Sequence, residues 1–283
     1  MSGFSADWLA LREPADARAR DPALARAALA RVGPVDVLRV VDLGAGTGAN
    51  LRAGSADLGP RQDWTLLDYD PALLAAARAG LRDWADESRD EDDGLALRSG
   101  DRHLTVRFVA ADLSGSLDEI TRPRPHLVTA SAFFDLASAG FVGRLAEAVA
   151  EMEAVFHTVL TCNGRDAWLP PHPDDPSITA AFRSHQVRDK GFGAALGNAA
   201  SAALETAFRA KGYATALADT PWRLGAESRK LIAALADGTA AAASETGHIS
   251  AARASAWATA RASAQCEIGH TDLLAWPERV RSG

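Results

Sequence analysis

A strand-like apolar run that leads into a glycine-rich loop is the feature that most limits how this chain can fold. The segment covers residues 40–50 and reads VVDLGAGTGAN, with glycines at positions 44, 46 and 48. Glycine permits positive φ angles there and leaves no Cβ in the way of a ligand. A helix that begins after such a loop directs its free N–H groups toward that ligand. The order predicts a site for an adenosine-containing cofactor; a tight turn without a ligand is the alternative.

Length and composition limit the class of protein. The chain has 283 residues, 47% of them hydrophobic, which suits one α/β domain with a large insertion. The net charge is −7 and lysine occurs only three times, so a nucleic-acid partner is not expected. Cys162 and Cys266 have neither metal-site nor disulfide spacing, and we expect both to be small buried hydrophobic residues.

The N-terminal residues and the longest apolar runs predict where the protein works. Residues 1–10 lack a basic segment followed by a long apolar run, so no signal peptide is predicted. No apolar run approaches the roughly 20 residues of a membrane span, so no membrane partner is expected. We therefore predict a cytoplasmic protein. The alanine and arginine bias indicates a GC-rich bacterial genome.

Short apolar segments alternate with helical patterns along most of the chain. This order predicts an α/β fold with an open, mostly parallel, doubly wound sheet of seven strands. The predicted strands cover residues 37–43, 64–67, 105–110, 126–132, 156–162, 213–219 and 265–276. Residues 88–101 are acidic and rich in helix and strand breakers, which predicts a solvated, mobile loop.

Helical segments lie outside this alternation at both ends of the predicted sheet. We expect an N-terminal helical segment over 1–34, with Asp21 capping a helix, which forms either part of a lid or a helix on the sheet edge. Residues 35–283 would form the α/β domain, with insertions at about 165–198 and 225–264. The second insertion reads as a helical pair, a cap or a dimer surface.

Two acidic residues at the end of the second predicted strand are candidates for the same ligand-binding role. Asp70 precedes Pro71 and an apolar stripe at helical spacing, so it is most simply a helix N-cap. Asp68 closes the strand itself, about twenty residues beyond the glycine loop. Nucleotide-binding α/β folds place there the carboxylate that accepts hydrogen bonds from ribose hydroxyls. We therefore predict that Asp68 binds the ribose and that Tyr69 packs beside the adenine.

The glycine loop resembles the first motif of the class I S-adenosylmethionine (SAM) dependent methyltransferases. In that family an acid lies two residues before the first glycine, and Asp42 has that place. The resemblance covers roughly residues 37–163 and implies the class I type of sheet, with SAM as cofactor and S-adenosylhomocysteine (SAH) as product. The cofactor-binding residues it implies are Asp42, Gly44, Ala45, Gly46, Gly48, Asp68, Tyr69, Asp112, Leu113 and Ser131.

An acid after the third predicted strand distinguishes between cofactors. Asp112 matches the acidic residue that, in the methyltransferase family, commonly accepts a hydrogen bond from the adenine amino group. A nicotinamide site does not need an acid there. The structural alternative is that Asp112 caps the short helix near Ser116.

The fourth predicted strand should lie beside the first, where an open α/β sheet has its ligand crevice. Its end would place Ser131 near the transferable methyl group, with Phe133 or Phe134 in the wall of the site. Asp135 is predicted to act as a base or substrate anchor. The alternative is that Asp135 caps the following helix.

The first insertion is the best candidate for binding the methyl acceptor, because long polar insertions beside a sheet are commonly lids or binding loops. We predict that Arg183, Arg188 and Lys190 bind a carboxylate or phosphate and that His185 accepts a proton. If the segment is helical, His185, Arg188 and Asp189 share one face. A solvated helix with local ion pairs is the alternative.

These features together predict an enzyme that transfers a methyl group from SAM to a small, polar or anionic molecule. Such transfer mainly requires correct positioning, so the lack of a catalytic triad or metal motif is expected. We expect a monomer or homodimer without a metal. The alternatives are an NAD(P)-dependent oxidoreductase on a Rossmann fold and a non-catalytic SAM-binding regulator or scaffold.

Overall fold

One mixed β-sheet runs through the molecule, and a computed structural model describes residues 4–278. The helices are α1 (Ala6–Ala19), α2 (Pro22–Val32), α3 (Ala49–Gly54), α4 (Pro71–Trp84), α5 (Asp118–Thr121), α6 (Ala139–Glu151), α7 (Asp175–Gln186), α8 (Ala200–Ala210), α9 (Arg229–Ser244) and α10 (Ala251–Arg261). The strands are β1 (Leu38–Leu43), β2 (Arg61–Asp68), β3 (Glu87–Glu91), β4 (Gly94–Ser99), β5 (Arg102–Ala110), β6 (Leu127–Ser131), β7 (Val155–Leu169), β8 (Tyr213–Asp219), β9 (Trp222–Leu224) and β10 (Gln265–Pro277).

The strand order is β3-β4-β5-β2-β1-β6-β7-β10-β8, with β9 paired to β10. Neighbouring strands from β5 to β7 pair in parallel, whereas β10 is antiparallel to both β7 and β8. The predicted mostly parallel α/β sheet is therefore confirmed. Because β1 lies between β2 and β6, the chain order reverses there, and a crevice opens at the carboxyl ends of these strands.

The sheet has ten strands rather than the predicted seven, and two of the additional strands form a hairpin. Residues 88–101 were expected to be a loop, but β3 and β4 cover most of that range and extend the sheet beyond β5. The side chains of β4 alternate, so that Leu95 and Leu97 are buried. Strand β3 is charged and fully exposed, as suits an edge strand that must not pair with another molecule.

Strand β7 continues well beyond residue 162, where the predicted strand ends. It runs to Leu169 because β10 pairs with its second half, with Cys266 opposite Trp168. Gly164 has φ +74°, and the register shifts between Ile268 and His270. A local irregularity therefore accommodates the glycine within the strand, so a sequence breaker does not end it.

Helices cover both faces of the sheet because successive residues of the central strand point to opposite sides. Val41 and Leu43 pack with α6 and α8, and Leu38 and Val40 pack with α2 and α4. A third cluster, including Trp222, Trp257 and Ile232, joins α1, α7, α9 and α10 beyond β7. This cluster places the inserted helices beside the carboxyl end of the sheet.

Helices are present in the N-terminal segment and in both predicted insertions. Asp21 caps α2 by accepting from the Ala23 and Leu24 N–H groups, as predicted. The division into 1–34 and 35–283 stays a prediction, and residues 1–3 and 279–283 of those ranges lie outside the described residues. Over residues 4–278, no helix combines the length and apolarity that crossing a membrane requires.

Candidate functional site

The glycine loop brings backbone close to its neighbours. Gly44, Gly46 and Gly48 have φ angles of +62°, +54° and +78°. A Cβ on Gly44 would lie 2.6 Å from a ring carbon of Phe133, and one on Gly46 would lie 3.0 Å from Leu9. The loop therefore requires glycine for conformation and for space.

A cavity of about 950 Å³ opens above this loop, at the carboxyl ends of the parallel strands. Its volume is near the upper end of the roughly 300–1,000 Å³ that ligand sites span, so a cofactor and a second molecule fit together. Of the sixteen residues predicted to bind cofactor or acceptor or to act in catalysis, twelve line it: Gly44, Ala45, Gly46, Asp68, Tyr69, Asp112, Leu113, Ser131, Asp135, His185, Arg188 and Lys190.

Asp42 lies beneath the cavity instead of in its lining. Its carboxyl is fully buried and accepts a hydrogen bond of 2.6 Å from Asn50 Nδ2, and Asn50 itself lines the cavity. Burial raises the pKa of Asp42 to about 7, although Asn50 and Arg20 act in the opposite direction. Gly48 is also outside the lining, where it precedes the first residue of α3. Asp42 thus lies below the loop, and Gly48 ends the loop at the start of α3.

Phe134 and Arg183 also lie outside the cavity lining. Phe134 is fully buried in the core, and its neighbour Phe133 provides the aromatic wall. Arg183 donates a hydrogen bond to the Gly164 carbonyl. Neither placement supports the substrate-binding role predicted for these two residues.

Asp68 connects the second strand to the glycine loop. Its Oδ2 accepts a hydrogen bond of 2.7 Å from the Gly46 N–H, and its Oδ1 accepts one of 2.9 Å from the Asp70 N–H. A carboxylate has about four acceptor positions, so two remain for a ligand. Asp70 caps α4 through the Ala72 N–H, as predicted.

Asp112 and Tyr69 lie at the outer part of the same cavity. Asp112 is exposed and accepts a hydrogen bond of 2.9 Å from the Ser114 N–H, and hydrogen bonding by the Ser114 side chain and N–H lowers the pKa of Asp112. At the start of the short helix near Ser116, the Ser116 hydroxyl accepts a hydrogen bond from the Asp118 N–H. Tyr69 is 59% exposed, which leaves its ring available to a flat ligand.

Helix α1 contributes a side of the cavity that the sequence did not reveal. Leu9, Arg12 and Asp16 line it, although nothing in their spacing distinguishes them from an ordinary surface helix. Arg52 in α3 donates two 2.7 Å hydrogen bonds to the Glu13 carboxylate and so connects α1 to the helix after the glycine loop. Helix α1 therefore lies against the loop, and its role as part of a lid stays a prediction.

Asp135 lies in the cavity wall, just beyond the end of β6. It does not cap the next helix, because the Ser138 hydroxyl accepts the Phe141 N–H at the start of α6. Burial raises the pKa of Asp135 to about 6, with its own backbone N–H and Arg12 acting in the opposite direction. Ala132, three residues earlier, has φ +51°, a strained conformation that occurs more often at functional sites than elsewhere.

The raised pKa of Asp135 gives a pH-dependent contribution to stability. A carboxyl pKa above the unfolded value of about 3.9 means that folding favours the protonated form. We expect the free energy of unfolding of the wild type to fall relative to Asp135→Asn between about pH 4 and 7, and to show no further relative change above that range. Urea denaturation at a series of pH values measures this difference. A difference that does not change with pH would contradict the assignment.

The predicted acceptor segment is only partly helical. Helix α7 ends at Gln186, so Arg188 lies in the turn that follows. His185 Nε2 is 2.9 Å from Oε2 of Glu245, the residue that follows α9, and Arg188 Nη2 donates to the Glu245 carbonyl. Lys190 lines the cavity, and in residues 4–278 no acidic side chain forms an ion pair with it. Lys190 is thus the cation most available to an anionic group.

Residues 4–278 contain no group of three or more histidine, cysteine or acidic side chains that is arranged to bind a metal ion.

Comparisons with known proteins give similarities to solved structures alone. No protein-family model matches the chain, and no curated protein matches it. The chain is similar to a SAM-dependent methyltransferase from Geobacter sulfurreducens in complex with S-adenosyl-L-homocysteine, with 15% identity over 98% of this chain and 100% of that one, and a TM-score of 0.45.

Two further solved structures show similarity of the same order. Precorrin-6y C5,15-methyltransferase from Geobacter metallireducens GS-15 is 15% identical over 90% of this chain and 87% of that one, with a TM-score of 0.43. Geranyl diphosphate C-methyltransferase from Streptomyces coelicolor A3(2) is 11% identical over 90% of this chain and 76% of that one, also with a TM-score of 0.43. Identities this low carry no residue roles from those proteins to this chain.

Proposed function

We propose that this protein is an enzyme that transfers a methyl group from SAM to a small polar molecule. The observation that carries the proposal is one cavity in which Asp68, Asp112 and the backbone of the glycine loop meet. Gly44 and Gly46 line this cavity without a side chain, so their backbone can be approached closely by a ligand.

The order of the strands supports an assignment of each part of the cofactor. Asp112, after β5, would accept from the adenine amino group, and Asp68, after β2, would accept from the ribose hydroxyls. The loop after β1 would face the methionine part, and Ser131, at the end of β6, would lie near the methyl group. This arrangement follows the sheet order β5-β2-β1-β6.

The chain's own groups would mainly orient the acceptor and manage its proton. The bound cofactor supplies an activated sulfonium methyl group, so positioning can account for several kcal/mol of the barrier. Asp135 would accept a proton from the acceptor, because a base is efficient when its pKa lies near the working pH. His185, beside Glu245, is the second candidate base. Lys190 and Arg188 would contact an anionic group of the acceptor.

The two alternative functions differ from this one in what the cavity binds. An NAD(P)-dependent oxidoreductase would bind NADH, and its cofactor site would not need an acidic residue at the position of Asp112. A non-catalytic regulator would bind SAM without turnover, and a scaffold would bind neither SAM nor SAH. The glycine loop and the cavity volume favour a protein that binds a ligand.

Calorimetric titration with SAH and with NADH tests the proposal. We expect SAH to bind and NADH to show no heat beyond dilution, and the same preference in thermal stabilisation. The assignment of the adenine end is tested with S-inosylhomocysteine, which lacks the amino group. It should bind the wild type more weakly than SAH, whereas Asp112→Ala should bind both about equally. Binding of NADH alone, or of neither ligand, would refute the proposed function.

A further inference from the structure

A second cavity of about 130 Å³, here called the side chamber, adjoins the large one. Both cavities are lined by Phe4, Arg12, Ala132, Asp135, Phe182 and Gln186. The other walls of the side chamber come from β7, β10 and the inserted helices α7 and α9. An apolar cavity of about 150 Å³ can hold one benzene ring, so the side chamber has the volume of a single ring.

The strand order places the side chamber beyond the methyl end of the proposed cofactor site. β7 follows β6 in the sheet, and its residues Leu160 and Cys162 line the side chamber. Neighbouring strands lie about 4.8 Å apart, so the side chamber is one strand beyond the end of β6. A molecule in it would therefore be next to the methyl group and away from the adenine.

Aromatic side chains form much of the side chamber. Trp8, Trp168, Trp222 and Phe182 line it, and Trp168 and Trp222 are more than nine-tenths buried. The indole N–H of Trp8 is buried and has no hydrogen-bond partner in residues 4–278. Aromatic rings prefer edge-to-face or offset contacts with other rings, which favours a planar ligand over an aliphatic one.

The charges around the side chamber favour a hydrogen-bond donor over an anion. Asp135 and Asp166 both line it, and burial raises the pKa of each carboxyl. The cationic side chain in its lining, Arg12, is already paired with Asp16 at 2.9 Å and lies over the Trp222 ring. An anionic ligand would therefore face two acidic groups and no free cation.

We propose that the side chamber binds an aromatic ring of the methyl acceptor and that Asp135 accepts the proton of a hydroxyl or amino group on that ring. This inference rests on the proposed function. In the transfer, the oxygen or nitrogen lone pair forms a bond to the methyl carbon as the carbon–sulfur bond breaks. The bonding electrons stay on sulfur, which becomes a neutral thioether, and the acceptor's proton goes to the Asp135 carboxylate. Asp135 is then a catalytic residue.

Tryptophan fluorescence measures this binding without turnover, because three of the chain's seven tryptophans line the side chamber. The full-length protein, with and without SAH, is titrated with phenol, benzoate and cyclohexanol. We expect phenol to cause a saturable spectral change, benzoate to bind at least tenfold more weakly because of its charge, and cyclohexanol to bind more weakly because it is not planar.

Matched variants locate the bound ring. Thr239 of α9 lines the side chamber, and Thr239→Phe should abolish the phenol response by filling it. The same change at Thr259, which is exposed on α10, should leave it intact. If Thr239→Phe fails to fold, Asp135→Asn replaces it and should weaken phenol binding at least several-fold.

The possible results separate this inference from its premise. SAH binding together with a phenol response that Thr239→Phe removes would support it. If SAH binds but phenol gives no saturable response, binds no better than benzoate, or binds Thr239→Phe equally well, the side-chamber inference is wrong and the cofactor assignment stands. If SAH does not bind, the premise is lost and both proposals fail.

Discussion

Asp68→Ala is expected to weaken SAH binding by about 10–100-fold. Hydrogen bonds to a charged group contribute about 1.5–3 kcal/mol, and each 1.4 kcal/mol corresponds to a tenfold change in affinity. Asp68 already accepts from the Gly46 and Asp70 N–H groups, so its removal also releases the glycine loop. Both effects weaken the binding of SAH. Calorimetric titration of wild type and variant with SAH measures the loss.

Asp70→Ala is the matched control for this experiment. Asp70 lies two residues away, also lines the cavity, and caps α4 through the Ala72 N–H. Its loss should lower the free energy of unfolding by about 1 kcal/mol and leave SAH affinity within a few-fold of wild type. If Asp68→Ala binds SAH as tightly as wild type, or if Asp70→Ala causes the larger loss, the ribose assignment is wrong.

The second prediction with a large expected effect concerns the free energy of unfolding, and it compares the adjacent residues Asp175 and Asp174. Asp175 accepts hydrogen bonds from Arg261, which is 2% exposed, and from the Trp257 indole at 2.8 Å. Arg261 also donates to the Pro170 carbonyl. Asp175→Asn leaves the buried guanidinium without a counter-charge, so we expect a loss of about 3–5 kcal/mol in the free energy of unfolding.

Asp174→Asn provides the comparison within the same turn. Asp174 pairs with Arg253, whose side chain is 49% exposed, so its replacement should cost at most about 1 kcal/mol. Urea denaturation with unchanged m-values measures both losses. Equal losses for the two variants would show that burial does not determine how much each ion pair contributes to the free energy of unfolding.

The contribution of the Asp175–Arg261 ion pair to the free energy of unfolding also depends on pH. Burial acts to raise the pKa of Asp175, but the bonds from Trp257, His172 and Arg261 outweigh it, so the pKa is lowered. A lowered folded-state pKa stabilises the protein above the unfolded value of about 3.9, and this contribution is lost as the pH falls through the folded-state value. The stability gap between wild type and Asp175→Asn should therefore narrow in acid.

The sheet order was largely predictable because buried parallel strands appear as short apolar runs. Leu38 to Leu43 is one such run, and the order of strands and helices then leaves few topologies. The hairpin β3-β4 was not predictable in this way, because its outer strand is an exposed, charged edge. Only Leu95 and Leu97 alternate there, too short a pattern to stand out from the acidic residues around it.

The candidate site was predictable where a residue's role follows from its place at a strand end. Asp68 is the last residue of β2, Asp112 lies two residues beyond the end of β5, and both line one cavity. Side chains that reach the cavity from distant elements left no such signal. Arg12 lies on a helix without a distinct polar stripe, and Asp42 lies outside the cavity lining whereas Asp68 is part of it, a difference that the sequence does not display.

The two halves of the cavity are made from different kinds of structure. The half beneath the proposed cofactor consists of strand ends and the glycine loop, where an added Cβ would disturb neighbouring groups. The half around the side chamber draws on α7 and α9, helices that fall in the two predicted insertions. Exchange of these segments during evolution would therefore alter which acceptor fits the side chamber and leave intact the half that is proposed to bind the adenosyl group.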